Sequence, residues 1–349
     1  MPSIAKPRVS HPSLTRNELG LTIRDYEGTM STLCAGCGHD SITAAIVRAL
    51  WELSTPPHRI AKLSGIGCSS KTPAYFVNSA HGLNSAHGRM PPIATGANAA
   101  NRELMYIGIS GDGDSLSIGL GHLCHAMRRN VNMLYIVENN GVYGLTKGQF
   151  SASSDIGSKS KKGEANVMAP IDPVLLGLSI GATFVARSFS GDKEQLVPIL
   201  KAGLAHRGFA VVDVISPCVT FNDHEGSTKS YLHTRQHLLA ATETDFVPHA
   251  SEIVAEIAPT GGTNITMHDG SVLRFTRVPA DYDVSDRQKA FSYLKNHPND
   301  VVTGILFADE SVPDTHETNH TPQTALVDLP YEKLCPGSAA LEQLQQEFR

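Results

Sequence analysis

The sequence has 349 residues, of which 41% are hydrophobic, so it can bury a core for one large domain or two smaller ones. Its 34 acidic and 29 basic residues leave a net charge of −5 without a long run of one sign, which argues against nucleic acid or an anionic membrane as a partner. Prolines and charges interrupt the N-terminal segment where a signal peptide needs an apolar stretch, and no segment has the length of a membrane span. We therefore expect a cytoplasmic protein.

The first predicted helix follows a pair of cysteines. Residues 41–53 place apolar side chains on one stripe of a helix, so Cys34 and Cys37 lie in the loop before it. A predicted strand over 60–65 leads to Cys68, and glycine, proline and histidine are frequent from there through residue 93. A helix, a strand, a helix and a strand are then predicted over 94–103, 104–110, 115–129 and 131–139.

The same alternation continues further along the chain. Helix, strand, helix and strand are predicted over 173–181, 182–188, 193–207 and 209–216. Apolar strands separated by helices indicate an α/β domain with a doubly wound, mostly parallel sheet covered on both faces.

The remainder of the chain is less regular. It contains a predicted helix over 231–242, a hairpin turning at Asp269–Gly270, a helix over 286–296, a strand over 301–308 and a terminal helix. We therefore divide the chain into an N-terminal segment (1–30), the α/β domain (31–225) and an irregular α+β C-terminal extension (226–349).

Two polar clusters follow neighbouring strands of the predicted sheet. Gly111-Asp112-Gly113-Asp114 ends one strand and Glu138-Asn139-Asn140-Gly141 ends the next. Ligands of doubly wound sheets bind outside the carboxyl ends of the strands, so we expect both clusters to face one crevice. Asp112 and Asn140 offer hard oxygens and the glycines allow close approach, which together suit Mg²⁺ holding a diphosphate.

Two neighbouring patterns bear on this interpretation. A nicotinamide fingerprint is disfavoured because Ser70 and Leu116 stand where its third glycine should be. The stretch 141–168 is too long for a plain connector, and its position directly after the predicted metal site suggests a lid.

The six cysteines allow several interpretations. A reducing cytoplasm disfavours disulfides, a zinc ribbon would need a second C-x₂-C knuckle, and a thioredoxin-like dithiol would not have further thiols beside it. Cys34, Cys37, Cys68 and Cys218 all lie in predicted loops, and thiolates from scattered loops can hold a [4Fe–4S] cluster. Unligated buried cysteines remain the alternative, and Cys124 and Cys335 are assigned to that class.

Several motifs together resemble a known family. The segments CAGCGH, GIGCSSK, HGRMPPIATGAN, GDGD, ENNGVYGLTKGQFS and SPCVTFN occur in the order seen in β subunits of 2-oxoacid:ferredoxin oxidoreductases, and the chain resembles the 2-oxoglutarate type most. The resemblance is close over about residues 30–225 and looser beyond. It implies a thiamine diphosphate-binding fold of the PP-domain type over 31–225.

The resemblance also implies roles for individual residues. Cys34, Cys37, Cys68 and Cys218 would ligate one [4Fe–4S] cluster. Asp112, Asn140 and the backbone carbonyl of Val142 would hold Mg²⁺. His39, Gly113 and Asp114 would lie along the phosphate end of the cofactor. Lys71 would meet the carboxylate of a 2-oxoacid, with Leu145 lining the same pocket.

The implied reaction is the oxidative decarboxylation of 2-oxoglutarate to succinyl-CoA and CO₂, with electrons passed through the cluster to ferredoxin and coenzyme A taking the acyl group. The resemblance further implies an α subunit that supplies the activating glutamate, in an αβ heterodimer or its dimer. The same chemistry on pyruvate or another 2-oxoacid, a noncatalytic iron–sulfur electron-transfer subunit, and an NAD-binding protein with incidental cysteines remain alternatives.

The sequence departs from the family pattern at two positions. Ala35 stands where the family more often has proline, and Asn139 stands where it more often has aspartate. Neither residue is a proposed ligand. His87 and Arg89 match motif positions whose role the sequence leaves open.

Overall fold

The computed structural model describes residues 4–7, 11–159, 163–248, 262–277 and 282–348. Its strands are β1 (Ile60–Ser64), β2 (His81–Asn84), β3 (Met105–Gly111), β4 (Met133–Asn139), β5 (Val142–Tyr143), β6 (Gln149–Phe150), β7 (Phe184–Phe189), β8 (Phe209–Ile215), β9 (Leu238–Ala240), β10 (Thr242–Val247), β11 (Gly262–Thr266), β12 (Val272–Arg277) and β13 (Val301–Ala308). Its α-helices are α1 (Gly38–Glu52), α2 (Met90–Ala100), α3 (Leu120–Arg128), α4 (Pro173–Ile180), α5 (Lys193–Ala205), α6 (Tyr231–His237), α7 (Arg287–Asn296), α8 (Thr315–Thr318), α9 (Tyr331–Leu334) and α10 (Gly337–Gln346).

Eight strands form the main sheet in the order β2-β1-β3-β4-β8-β7-β13-β9. The strands from β2 to β7 in this order are all parallel, whereas β13 pairs antiparallel with β7 and parallel with β9. Every residue of β4, β7 and β8 is buried, which explains why these strands are continuous apolar runs in the sequence. The predicted doubly wound, mostly parallel α/β fold is confirmed.

The helices pack in two connected groups. Helices α1 and α5 contact each other, while α2 contacts α3, α3 contacts α4 and α4 contacts α7. Short-range signals set the helix ends: the Asp172 carboxylate caps α4 by accepting from the backbone N–H of Val174 at 2.8 Å, and Gly181 ends that helix with a positive φ of 95°. Burial of the apolar faces of these helices on the sheet is the main source of the domain's stability.

Several predicted boundaries were wrong. Helix α1 begins three residues before the predicted start, and α2 begins four residues before its own. The predicted helix 115–129 is a π-helical turn over Gly113–Ile118 followed by α3. The predicted helix 231–242 ends at His237, and β9 and β10 take up the following residues.

The C-terminal part contributes to two sheets. Strands β9 and β13 extend the main sheet, and β10, β12 and β11 form a separate antiparallel sheet. The hairpin predicted at Asp269–Gly270 is confirmed between β11 and β12, with Gly270 at φ 82°; residue 278, the last of the predicted hairpin, lies outside the described residues. The division of the chain into three stretches stays a prediction. Among the described residues, no helix combines the length and apolar character needed to span a membrane.

Candidate active site

Four neighbouring strands of the main sheet, β1, β3, β4 and β8, lead into predicted site residues at their carboxyl ends. Asp112 directly follows β3 and Asn140 directly follows β4. Cys68 lies four residues after the end of β1, and Cys218 lies three residues after the end of β8. Because these strands are parallel and adjacent, they bring together residues that are far apart in the sequence.

The loop that contains Cys34 and Cys37 packs closely against the segment that follows β8. Cys37 is the residue before the first turn of α1, and the backbone N–H of Gly38 donates to the Pro217 carbonyl at 3.3 Å. A Cβ atom at Gly38 would lie 2.5 Å from the Ser216 Oγ, so this approach requires glycine. The first two thiols are therefore brought to the Cys218 end of the sheet.

The four thiols share one region of this edge. A Cβ atom built at Gly144 would lie 3.4 Å from the Cys68 Sγ and 3.7 Å from the Cys218 Sγ. Cys34 is connected to the loop after Cys218 because the Thr220 hydroxyl lies 3.5 Å from the Cys34 Sγ. All four cysteines are free thiols.

Burial is the largest cause of the raised pKa values of Cys37, Cys68 and Cys218. It raises the pKa of Cys37 to about 12, and Glu138 and Cys218 raise it further when they are ionised. Burial also raises the pKa of Cys68, while the positive charge of Lys71 opposes that shift. A bound cation would remove the mutual repulsion between thiolates and favour their ionised form.

In the part of the chain that the structure describes, no group of three or more His, Cys, Asp or Glu side chains is arranged to hold a metal ion. In a [4Fe–4S] cluster each thiolate binds a different iron, so its sulfurs stand further apart than the ligands of one ion. Cys68 and Cys218 both lie beside the Gly144 position, and Cys34 lies beside Thr220 in the loop after Cys218.

A cleft opens between the strand ends beside Asp112 and Asn140. It encloses about 70 Å³. Its lining residues are His39, Ile66, Gly67, Cys68, Ser69, His87, Gly111, Asp112, Gly113, Asp114, Asn140, Val142, Tyr143, Gly144, Leu145 and Thr146. Pockets that enclose a drug-sized ligand are about 300–1,000 Å³, so this cleft alone is too small to surround a cofactor of that size.

Gly113 makes the close packing at this cleft possible. A Cβ atom at this position would lie 2.5 Å from the ring of Tyr143, and the Tyr143 hydroxyl donates to the Gly113 carbonyl at 2.9 Å. The glycine therefore lets the loop after β4 lie directly against the turn after β3.

The Asp112 carboxylate is buried and has no cationic partner among the described residues. Its Oδ2 accepts hydrogen bonds from the hydroxyls of Ser151 and Ser153, whereas its Oδ1 has a single long contact, 3.4 Å from the backbone N of Asn140. Burial raises the pKa of this carboxyl above its usual value, and the two hydroxyls oppose the shift. A buried carboxylate with one weakly hydrogen-bonded oxygen suits a hard divalent cation.

Asp114 has a different environment from Asp112. Its Oδ1 accepts from the backbone N–H of Gly88 at 2.7 Å and of Ile66 at 3.1 Å, and its Oδ2 accepts from the Ser110 hydroxyl at 2.7 Å. His87 Nδ1 lies 2.5 Å from the same Oδ1, outside hydrogen-bonding geometry. Asp114 therefore holds together the two loops that border the cleft.

His39 and Glu138 form a second buried polar group beside the cleft. His39 Nδ1 lies 2.6 Å from the Ser216 Oγ and 3.6 Å from Glu138 Oε2. The Thr72 hydroxyl is within hydrogen-bonding distance of both Glu138 oxygens, at 3.0 and 3.1 Å. Burial lowers the pKa of His39 to about 4 and raises that of Glu138 well above its usual value, so both groups favour their neutral forms.

Comparison with known proteins gives a consistent result. Residues 65–214 match the family described as "Thiamine pyrophosphate enzyme, C-terminal TPP binding domain". The chain is 36% identical over 281 residues to the 2-oxoglutarate oxidoreductase subunit KorB of Mycobacterium tuberculosis, which covers 75% of each protein. It is 44% identical over 207 residues to a 2-oxoacid:ferredoxin oxidoreductase β subunit of Saccharolobus solfataricus, covering 59% of this chain and 67% of that relative.

This chain belongs to the family of 2-oxoacid:ferredoxin oxidoreductase β subunits. The motif-based resemblance, including its 2-oxoglutarate type, is thereby confirmed. A solved structure supports the same conclusion: the 2-oxoglutarate:ferredoxin oxidoreductase of Magnetococcus marinus, solved with 2-oxoglutarate, coenzyme A and succinyl-CoA bound, matches with a TM-score of 0.71 and 29% identity, over 89% of this chain and 92% of that one.

The structure of this β subunit brings most of the predicted site residues together, but not all. Leu145 is exposed on its surface and lines the cleft. Lys71 does not line the cleft; it lies in the turn after Cys68, where its charge acts on that thiol. The roles assigned to both residues stay predictions.

The remaining predictions concern residues around the site. His87 lines the cleft, and the Arg89 guanidinium donates to the Ile118 carbonyl at 3.3 Å, which connects the loop before α2 to the π-helical turn. Cys124 packs against the main hydrophobic core and Cys335 is exposed, so neither is part of the site.

Sequence reasoning missed two polar residues that contact the site. Ser151 and Ser153 lie in a long loop, and no local sequence pattern indicates that their hydroxyls contact Asp112. Glu138, in contrast, belongs to the polar cluster that the sequence predicts at the end of β4, where a carboxylate in a fully buried apolar strand is unusual.

Proposed function

We propose that this β subunit catalyses the thiamine diphosphate-dependent oxidative decarboxylation of 2-oxoglutarate, with coenzyme A taking the succinyl group and electrons leaving through a [4Fe–4S] cluster to ferredoxin. The observation that carries the proposal is the convergence of Cys68, Asp112, Asn140 and Cys218 at the ends of four adjacent parallel strands. This arrangement offers sulfur ligands and oxygen ligands side by side.

The oxygen ligands fit Mg²⁺ and a diphosphate. The weakly hydrogen-bonded Oδ1 of Asp112 would neutralise part of the cation's charge. The side-chain carbonyl of Asn140 and the backbone carbonyl of Val142 would be further ligands. Asn140 Oδ1 accepts from the backbone N of Val142 at 3.0 Å, which fixes the direction of its carbonyl. Diphosphate oxygens and water would fill the other positions of an octahedral site.

The sulfur ligands fit a [4Fe–4S] cluster. Four free thiols from three loops share one region. The raised pKa values of Cys37, Cys68 and Cys218 mean that a positively charged centre would be needed to hold these three as thiolates. Oxidation of a 2-oxoacid releases two electrons, whereas ferredoxin accepts one at a time. A cluster between donor and acceptor would separate the two transfers.

The chemistry of the reaction divides between the cofactor and this chain. Thiamine diphosphate, when bound, supplies the carbanion that makes decarboxylation of a 2-oxoacid possible. The chain's own contribution is electrostatic and geometric: the Lys71 ammonium would bind a substrate carboxylate, and Leu145 would exclude water beside it. His39, neutral because of its burial, would place an uncharged imidazole beside the phosphate end.

An α subunit is a further part of the proposal. The small volume of the cleft supports a site shared between two chains, with the second chain covering the rest of the cofactor and supplying the glutamate that activates it. We propose an αβ heterodimer or its dimer as the working assembly. The name "β subunit" of its relatives supports the same conclusion.

The proposal is tested by anaerobic purification of the chain with and without its α subunit. The αβ protein should contain about four iron and four sulfide per β chain, bind thiamine diphosphate with Mg²⁺, and reduce ferredoxin with 2-oxoglutarate and coenzyme A. The β chain alone should reduce neither ferredoxin nor a viologen. Full activity without a partner, or absence of iron or thiamine diphosphate from the αβ protein, would contradict the proposal.

A second candidate is the same reaction on another 2-oxoacid. It is supported by the relatives from Saccharolobus solfataricus and Aeropyrum pernix, whose names specify only a 2-oxoacid. The kcat/KM values of the αβ protein for 2-oxoglutarate, pyruvate and branched-chain 2-oxoacids decide between the two. A higher value for any substrate other than 2-oxoglutarate would favour the second candidate.

A further inference from the structure

We propose that Ser151, Ser153 and Asn139 are positioning residues that hold the Asp112 carboxylate with its Oδ1 turned toward the metal. The inference rests on the proposed function, because it takes Asp112 as a ligand of Mg²⁺. It adds a mechanism by which the loop after β6 controls the affinity for that metal.

The first step is the unequal use of the two Asp112 oxygens. The hydroxyls of Ser151 and Ser153 both contact Oδ2, and Ser153 does so at 2.7 Å. The backbone N of Ser153 donates to the Ser151 Oγ at 3.3 Å, so the Ser151 hydroxyl proton remains available for the carboxylate. With Oδ2 bound to two donors, the carboxylate cannot rotate without losing both hydrogen bonds.

The second step is the anchoring of Ser153. Its Oγ lies 2.9 Å from Asn139 Oδ1. The other side of that amide is fixed, because Asn139 Nδ2 donates to Asp213 Oδ1 at 3.0 Å. The single hydroxyl proton of Ser153 is therefore shared between two acceptors, Asp112 Oδ2 and Asn139 Oδ1, which holds the Ser153 Oγ between them.

The third step is the rigidity of the anchor. Arg187 Nε donates to Asp213 Oδ2 at 2.8 Å, and Arg187 Nη2 donates to Asp172 Oδ1 at 2.5 Å. Asp172 also caps α4. Asn139, Arg187 and Asp213 are buried and hydrogen-bonded to one another through Asp213, so this part of the network has few alternative arrangements and can fix the orientation of the groups at its end.

The three steps describe a continuous series of polar contacts from the first turn of α4 to Oδ2 of Asp112. Partners that orient a metal-binding carboxylate typically change metal affinity about 10–100-fold when they are removed. A purely structural role would predict a different result, namely lower stability with unchanged metal affinity.

The test measures Mg²⁺ binding to the αβ protein by calorimetry at a fixed, saturating concentration of thiamine diphosphate. We expect Ser153→Ala to raise the Kd for Mg²⁺ by about tenfold, and Ser151→Ala/Ser153→Ala to raise it further. Ser153→Thr keeps the hydroxyl and should restore most of the affinity. Asn139→Ala, one step further from the metal, should give a smaller increase than Ser153→Ala.

The matched control is Ser188→Ala. Ser188 is also a fully buried serine, but its hydroxyl donates to Gln195 Oε1 at 3.0 Å and has no contact with Asp112. It should leave the Kd for Mg²⁺ unchanged. The melting temperature of each metal-free variant reports any loss of folding, and the single variants remain informative if the double variant does not fold.

The outcomes separate this inference from the proposed function. If the unmodified αβ protein binds no thiamine diphosphate with Mg²⁺, the proposed function fails, and the positioning inference fails with it. If it binds both but Ser153→Ala and Ser188→Ala have the same Kd, only the positioning inference is overturned. A raised Kd for Ser153→Ala that Ser153→Thr restores supports it.

Discussion

The candidate site has an oxygen half, Asp112 and Asn140, and a sulfur half, Cys34, Cys37, Cys68 and Cys218. The two halves differ in how strongly the fold fixes their geometry. Asp112 and Asn140 are buried, directly follow their strands, and are hydrogen-bonded to a paired network. Cys34 is exposed, and Cys68 and Cys218 are half-buried in loops several residues beyond their strands. We infer that the oxygen half is preorganised, whereas the sulfur half depends on its metal for its final geometry.

The largest expected effect follows from removing the charge of the oxygen half. Asp112→Asn keeps the shape of the side chain but removes the negative charge that would hold Mg²⁺. We expect calorimetry to show loss of Mg²⁺-dependent thiamine diphosphate binding, and ferredoxin reduction to fall at least about 100-fold. Iron content should not change, because Asp112 is not one of the proposed ligands of the cluster.

The melting temperature of the same variant gives an independent test of the role of Asp112. Asp112 is a buried carboxylate without a cationic partner among the described residues, so neutralising it should not destabilise the metal-free protein and can stabilise it. The melting temperature of metal-free Asp112→Asn should equal or exceed that of the unmodified protein. Normal thiamine diphosphate affinity in this variant would show that Asp112 is not the ligand.

The second effect concerns the sulfur half alone. Cys68→Ser replaces a thiolate by a weaker metal ligand, so iron per chain should fall well below the value of the unmodified protein. Thiamine diphosphate binding should remain, since Asp112 and Asn140 do not depend on Cys68. Cys335→Ser is the matched control, because Cys335 is exposed and outside the site. Equal iron in both variants would remove Cys68 from the ligand set.

The sequence predicts the strands and site residues whose structure follows from a local pattern, and it does not predict those that depend on contacts between distant residues. Strands β3, β4 and β8 were predicted because a buried parallel strand is a continuous apolar run, and Asp112 and Asn140 were predicted because strand-end positions follow from that pattern. The convergence of four cysteines came from the resemblance to a family, since spacing alone left several alternatives open.

The errors arose where distant contacts decide the local structure. Residues 238–240 have helix-forming leucines and alanine, but they form β9 because they pair with β13, some sixty residues later. Strand β2 is short, exposed and polar, so it carries no apolar signal. Ser151 and Ser153 contact Asp112 across thirty-nine and forty-one residues, and no local pattern predicts such a return.

The smallest expected effect concerns His39, which lies between the two halves, buried against Ser216 and Glu138. Its pKa in the folded protein is about 4, below the value of about 6.5 expected for an unfolded chain, so the unfolded state binds more protons between these values. The stability contribution of neutral His39 is therefore complete above pH 6.5 and is lost as the pH falls toward 4. His39→Asn lacks this titration but keeps a polar side chain near Ser216.

We expect the free energy of unfolding to fall by about 1 kcal/mol more in the unmodified protein than in His39→Asn when the pH is lowered from about 7.5 to about 5.5. Urea denaturation of both proteins at the two pH values measures this difference, and groups that titrate alike in both proteins cancel in the comparison. An equal loss of stability in the two proteins would mean that His39 is protonated in the folded state at pH 5.5. In that case a negative charge would lie beside His39. The nearest group that could carry it is Glu138, whose Oε2 lies 3.6 Å from His39 Nδ1.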